Sequence, residues 1–183
     1  LNPSLQTTWA QHYAGSINAT ADRVILDTLG NPVITGTFNG DLKLDQIDLN
    51  AGNQIARFIS KLSFLGLPQW ATSVKGVVTI FNGFNSDASG SVLLGGISNG
   101  PFEIQGESFG VNGETGAFLA KVNPDGTFGW ARRFVPGVAD AIASPPGTDD
   151  IVLLGSGAAQ SDFGLGPLGG QEVQKIVVAR YTP

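Results

Sequence analysis

Lys121–Phe134 reads "KVNPDGTFGWARRF", and the chain says this phrase more than once. Lys61–Val74, "KLSFLGLPQWATSV", keeps the lysine and the Trp-Ala pair at the same spacing. The chain opens on "LNPSLQTTWAQHY", which joins the phrase just after the lysine, and closes on "VARYTP", which stops where the opening begins. Trp9, Trp70 and Trp130 each precede an alanine, at separations of 61 and 60 residues. "VLLG" occurs at Val92–Gly95 and again at Val152–Gly155. Asn39-Gly40 returns as Asn99-Gly100, Asp27 as Asp87 and Lys61 as Lys121, while Arg180 stands for the lysine one position short of a third period. Independent landmarks on one spacing define three repeats of about 60 residues.

Each repeat carries four strand-like runs, A to D, separated by turn chemistry. In the first they are Arg23–Asp27, Pro32–Thr37, Ala56–Leu62 and the stretch around the tryptophan. The A–B connections ("DTLGNP", "DASGS", "PPGTDD") and C–D connections ("SFLG", "NPDG") are tight. The B–C segments and the stretches after each tryptophan are long and read as loops. Runs such as "VLLGG" and "KIVVARY" are almost continuously apolar, as in strands covered on both faces. No segment holds a helical period.

A repeated four-stranded meander covered on both faces is a β-propeller blade. The expected fold class is therefore all-β: a β-propeller with three four-stranded blades per chain, forming one unit over residues 1–183. The repeats run at about 14–76, 77–134 and 135–183, with 1–13 as an N-terminal strand that completes a last blade. Closed rings have about four to eight blades, so three are too few. Two chains are expected to close a six-bladed ring as a homodimer of 3+3 blades. Trp9 of one chain then lies beside the strand carrying Lys175, Val177, Ala179 and Tyr181 of the other. The alternative is a blade fragment of a larger multi-repeat surface protein.

The stretches "SDFGLGPLGGQEVQKIVVARY" and "FLAKVNPDGTFGWARRF" resemble the secreted bacterial β-propeller repeat found in myxobacterial-type proteins. Asp162-Phe163-Gly164, Gly169-Gly170, Val178-Ala179-Arg180 and Asp125-Gly126 with Trp130 carry the likeness. The first two repeats depart from it in the B–C segment. The resemblance implies the fold and a secreted or cell-surface bacterial location, and no activity.

Composition narrows the function. Of 183 residues, 42% are apolar and only 14% charged, and the 26 glycines suit a turn-rich β protein. A net charge of −5 with ten dispersed basic residues supplies no phosphate-binding face, so nucleic acid is not an expected partner. No apolar run approaches the 18 residues of a membrane helix. His12 is the only histidine and cysteine is absent, so histidine metal clusters and Cys-His dyads are excluded within one chain. "GESFG" (Gly106–Gly110) has a serine-hydrolase pattern but no helix to follow it. "GLGPLG" (Gly164–Gly169) has a dinucleotide pattern but contains a proline and opens no helix.

The candidate sites are sparse. Asp22, Asn82 and Asp140 start the A strands and are placed to line a central channel as ligand-binding residues, or to make turns. Phe102 and Phe109 are candidate platforms for a glycan or peptide, or anchors of their own loop. Asp41, Asp45 and Asp48, with Asn50 and Asn53 nearby, are candidate oxygen ligands for calcium, or a solvated acidic loop. No cofactor and no enzymatic activity are expected. The expectation is a non-catalytic binding or assembly module, with any site on the face carrying the long B–C and D–A loops; the alternative is a lectin-like glycan binder.

Overall fold

The structure, a computed structural model, describes residues 6–171 and 173–182, and for 77–80 the backbone alone. Among the described residues there are twelve strands and no helix. They are β1 (Ala14–Gly15), β2 (Asn18–Leu26), β3 (Pro32–Leu44), β4 (Ile47–Leu62), β5 (Pro68–Ser86), β6 (Val92–Ile104), β7 (Glu107–Phe109), β8 (Gly116–Val122), β9 (Phe128–Phe134), β10 (Val138–Ala143), β11 (Ile151–Gly157) and β12 (Lys175–Tyr181). All pairings are antiparallel and form two sheets. One runs β1-β3-β4-β5-β6-β8-β9 with β2 and β7 attached, and the other is β10-β11-β12.

The four runs of the first repeat are β2, β3, β4 and the start of β5. Those of the second are the end of β5, β6, β8 and β9, and the third contributes β10, β11 and β12. Two expectations about connections are corrected. The first B–C segment is no loop: β3 and β4 extend into a hairpin that turns at Asp45-Gln46, between the paired Leu44 and Ile47. The second folds β6 back on β7 through Gln105-Gly106. The D–A connections are short as well. Between the first two repeats β5 runs unbroken, bending through register shifts at Gly76/Val78, Val78/Ile80 and Phe81/Gly83. Alternating polar residues such as Asp41, Lys43 and Asp48 hid these extensions, because a strand with one wet face lacks the apolar run of a covered one.

The core has three parts. In β6 the neighbours Leu93 and Leu94 are both fully buried, yet they point to opposite faces. Leu94 packs with Val33, Ile59, Phe81 and Phe118 between the first and second repeats. Leu93 packs with Leu119, Ile142, Leu153 and Val177 between the second and third. A smaller cluster around Phe38, Leu42 and Phe58 lies on the remaining face of the first repeat, with Tyr13 and Ile34 against it. Beside it Val24 and Leu26 are 63% and 62% exposed. On the remaining face of the third repeat Ile176 and Val178 are 84% and 69% exposed.

A buried ion pair recurs at one end of the first two meanders. Asp27, just after β2, meets Lys61 of β4 at 2.7 Å, and Asp87 meets Lys121 at 2.7 Å. Each acid also closes its A–B turn. Asp27 accepts the backbone N–H groups of Leu29 and Asn31, and Asp87 accepts the N–H of Ser91 and the hydroxyl of Ser89. Burial by itself would raise both carboxyls. The lysine and these donors together outweigh it and hold both below the ordinary carboxylate value. In the third repeat the period places Gly147 at the acid's position, and Asp150, on the far side of the turn, binds Arg180 through Nε at 2.9 Å.

Removing one member of a buried pair leaves the other charge uncompensated, at a cost of roughly 3–5 kcal/mol. Asp87→Asn is therefore expected to lower stability by about that much at neutral pH in a denaturant melt. A depressed carboxyl stabilises the fold fully above its unfolded value of about 3.9. That contribution is lost as pH falls through the lower folded value. The gap between parent and variant should therefore close as pH falls below about 4. A gap that persists there would show that Asp87 acts by turn geometry rather than by charge.

Candidate assembly site

The tryptophans are the residues that pass from one repeat to the next. Trp70, at the start of β5, is the cross-strand neighbour of Lys61 within its own repeat. Its indole N–H donates at 2.9 Å to the carbonyl of Pro124, in the C–D turn of the following repeat. Trp9 does the same one period earlier, donating at 2.9 Å to the carbonyl of Phe64 in the C–D turn of the first repeat. Both turns close in one way. The Gly66 and Gly126 N–H groups donate to the carbonyls of Ser63 and Asn123, whose own N–H groups donate to the carbonyls of Leu67 and Thr127.

Glycine is required at the tip of each turn for two reasons. Gly66 and Gly126 have φ of 81° and 87°. A Cβ there would also come within 2.6 Å of the Trp9 ring and 2.7 Å of the Trp70 ring. Each turn thus lays its glycine flat on the preceding repeat's indole.

A second feature repeats at the same handover. Beyond Trp70, β5 pairs with the far end of β6, with Lys75 opposite Glu103 and Gly76 opposite Phe102. Beyond Trp9, β1 pairs with the far end of β3, with Ala14 opposite Lys43 and Gly15 opposite Leu42. Tyr13 reinforces the contact by donating to the carbonyl of Gly66 at 3.1 Å, and burial, then the charge of Asp45, raise its phenol. The N-terminal segment therefore sits against the first repeat as the D strand of the first repeat sits against the second. Residues 6–13 pair with no strand among the described residues.

A second sheet edge lies in the third repeat. In the three-stranded sheet β12 is terminal, paired with β11 alone among the described residues. Of the residues expected to serve assembly, Val177 is buried, and Ala179 and Tyr181 pack with it against the second repeat. Tyr181 donates to the carbonyl of Phe163 at 2.9 Å. Their side chains are committed inward, so β12 offers its open backbone edge and the outward Ile176 and Val178.

Asp22, Asn82 and Asp140 occupy one structural position. Each is the residue at a register shift in its A strand, between Ala21/Arg23, Phe81/Gly83 and Ala139/Ala141. A bulge leaves its extra residue unpaired and re-aims the side chain. Here two of the three aim at protein. Asp22 binds Arg57 at 2.7 Å, and Arg57 in turn lies over the Phe81 ring at 5.0 Å. Asn82 donates to the carbonyl of Ala139 at 3.0 Å, which ties the second repeat to the third. Asp140 is exposed.

The remaining candidates do not converge on a site. Phe102 is 2% exposed and packs at 5.5 Å from Phe109 and 5.0 Å from Phe118, so it has no face open as a platform. Phe109 lies on β7 against Phe128 and anchors its own hairpin. Asp41, Asp45 and Asp48 are strung along the β3–β4 hairpin: Asp41 accepts from Asn50, Asp45 sits at the turn with φ of 56°, and Asp48 is opposite Lys43. No group of three metal-ligating side chains occurs among the described residues. Ser108 is an exposed strand residue, followed by no helix. The indole acceptors were invisible in the sequence, because Phe64 and Pro124 act through backbone carbonyls that any residue supplies.

No protein-family model matches this chain, and a search of curated proteins finds no relative. No helix is long and apolar enough to cross a membrane among the described residues.

Replacing Gly126 by alanine is expected to cost roughly 1–3 kcal/mol through the left-handed backbone, and to displace the Trp70 ring as well. Gly30→Ala separates the two effects, since Gly30 shares the backbone (φ 78°) with nothing within 4 Å. Gly126→Ala should alter tryptophan emission in the folded state and Gly30→Ala should not. Identical spectra would show that the turn does not rest on the indole.

Proposed function

We propose that this chain is a β-propeller module, secreted or displayed at the cell surface, that works by assembly and binding rather than catalysis. Two copies close a ring of six blades. The observation that carries this reading is the repeated handover. The Trp9 indole bond and the β1–β3 ladder support reading the N-terminal segment as the outer strand of a blade standing before the first repeat. The blade it would complete has three strands and an open outer edge, which describes β10-β11-β12 of another copy.

The exposed apolar faces support the same arrangement. Val24 and Leu26 at one end, and Ile176 and Val178 at the other, are positions that a neighbouring blade covers in the middle repeat. Closing a two-copy ring buries both ends of both chains, on the scale of an obligate interface, upward of ~2,000 Å². It also removes the free edge of β12. The secreted location rests on the resemblance to the bacterial repeat. A glycan or protein ligand would be carried by the assembled ring.

Light scattering tests the assembly. The expected mass is twice the 18.9 kDa of one chain. Removing residues 1–13 should dissociate the pair or drive aggregation through the exposed β12 edge. A stable monomer that is indifferent to the deletion would overturn the two-copy ring.

A further inference from the structure

We propose that the cavity over Trp130 is the docking socket for the Asn2-Pro3 segment of a second copy, with the carbonyl of Pro3 accepting the Trp130 indole N–H. This rests on the two-copy reading and names the contact that would close it.

Trp130 stands in β9 as Trp70 stands in β5, opposite Lys121 as Trp70 is opposite Lys61. Unlike Trp9 and Trp70, it makes no indole hydrogen bond among the described residues. Where the C–D turn of a following repeat would lie on it there is a cavity of about 380 Å³. Its lining includes Leu119, Lys121, Trp130, Ile151, Tyr181 and Thr182, from the second and third repeats. The cavity occupies the place that Asn123–Gly126 fills over Trp70.

The occupant follows from the spacing of donors and acceptors. Each acceptor stands six residues before the next tryptophan in the chain: Phe64 before Trp70, and Pro124 before Trp130. The residue six before Trp9 is Pro3, and it lies in "LNPSLQTTWA", which parallels "VNPDGTFGWA" at Val122–Ala131 with the Asn-Pro and Trp-Ala pairs in register. Trp9 donates into the first repeat and Trp70 into the second. Trp130 is the donor left over and Pro3 the acceptor left over. Residues 1–5 lie outside the described residues. A ring of three blades would be needed for them to meet within one chain, below the smallest ring of about four, so the partner is a second copy.

The chemistry suits this occupant. Proline offers a carbonyl acceptor and has no backbone N–H to leave unpaired, and Leu119, Ile151 and Trp130 line the cavity with apolar surface. Ser4 corresponds to Asp125, which is exposed, so its side chain is a suitable place for a probe.

The chain has three tryptophans and no cysteine, so its indole N–H groups give three assignable nitrogen-15 resonances and a single introduced thiol labels cleanly. A Ser4→Cys chain carrying a nitroxide and no nitrogen-15 is mixed with a nitrogen-15-labelled chain, and light scattering reports whether the mixture is dimeric. The expected result is a dimer in which the Trp130 indole signal is broadened most. Trp130→Phe, which keeps an aromatic floor and removes the donor, should weaken the dimer roughly 3- to 10-fold, the scale of one net hydrogen bond. A dimer with Trp130 sharp, or with Trp9 or Trp70 broadened more, overturns the socket while leaving the two-copy ring standing. A monomer in both labelled and unlabelled samples overturns the ring and the socket with it.

Discussion

A sheet whose strands are apolar on both faces has no side to give to water, and the rest of this structure follows from that constraint. Leu93 and Leu94, adjacent and fully buried on opposite faces of β6, state it most simply. The second repeat is stable because a meander covers each of its faces. The outer repeats have one neighbour each, and their outward residues, Val24 and Leu26 or Ile176 and Val178, are left on the surface. Covering such faces would be favourable by about 25 cal/mol per Å² of apolar surface buried.

Covering faces is non-directional, so the polar groups must set how one repeat meets the next. Two devices do this at different places. Inside the first two repeats, Asp27 with Lys61 and Asp87 with Lys121 hold the A–B turn against the C strand, where desolvation makes an unpaired charge too costly to tolerate. Between repeats, an indole N–H finds the carbonyl of the next C–D turn, and a glycine lets the turn lie on the ring. The second device carries direction. Trp9 and Trp70 both donate forward, to the C–D turn one repeat on, and Trp130 has no such partner among the described residues.

The bulges of the A strands extend the same logic. Asp22, Asn82 and Asp140 share one register position, yet they serve different neighbours: Arg57, the Ala139 carbonyl and solvent. Identical backbone geometry with different side-chain duties is what a repeat permits when each copy has a different environment. It also explains why these residues read as a site in the sequence and act mostly as connectors in the fold.

Much of this was legible in the residues themselves. The 60-residue period, the all-β class, the tight A–B and C–D turns and the exchange of Arg180 for lysine come from spacing and turn chemistry, which are local. What the sequence could not disclose was set by contact over long separations. Asp150 is the acid that meets Arg180, and only the folded turn brings it there. The extended hairpins at Asp45-Gln46 and Gln105-Gly106 look like loops because their wet faces break the apolar pattern. Phe102 looks like a surface platform until β7 and β8 close over it. The indole acceptors at Phe64 and Pro124 are backbone carbonyls, which carry no mark in the sequence at all. Periodicity marked the recurring strand runs, and the tertiary structure alone decided which backbone atoms they hand to one another, because a carbonyl becomes a partner only once the chain has placed it.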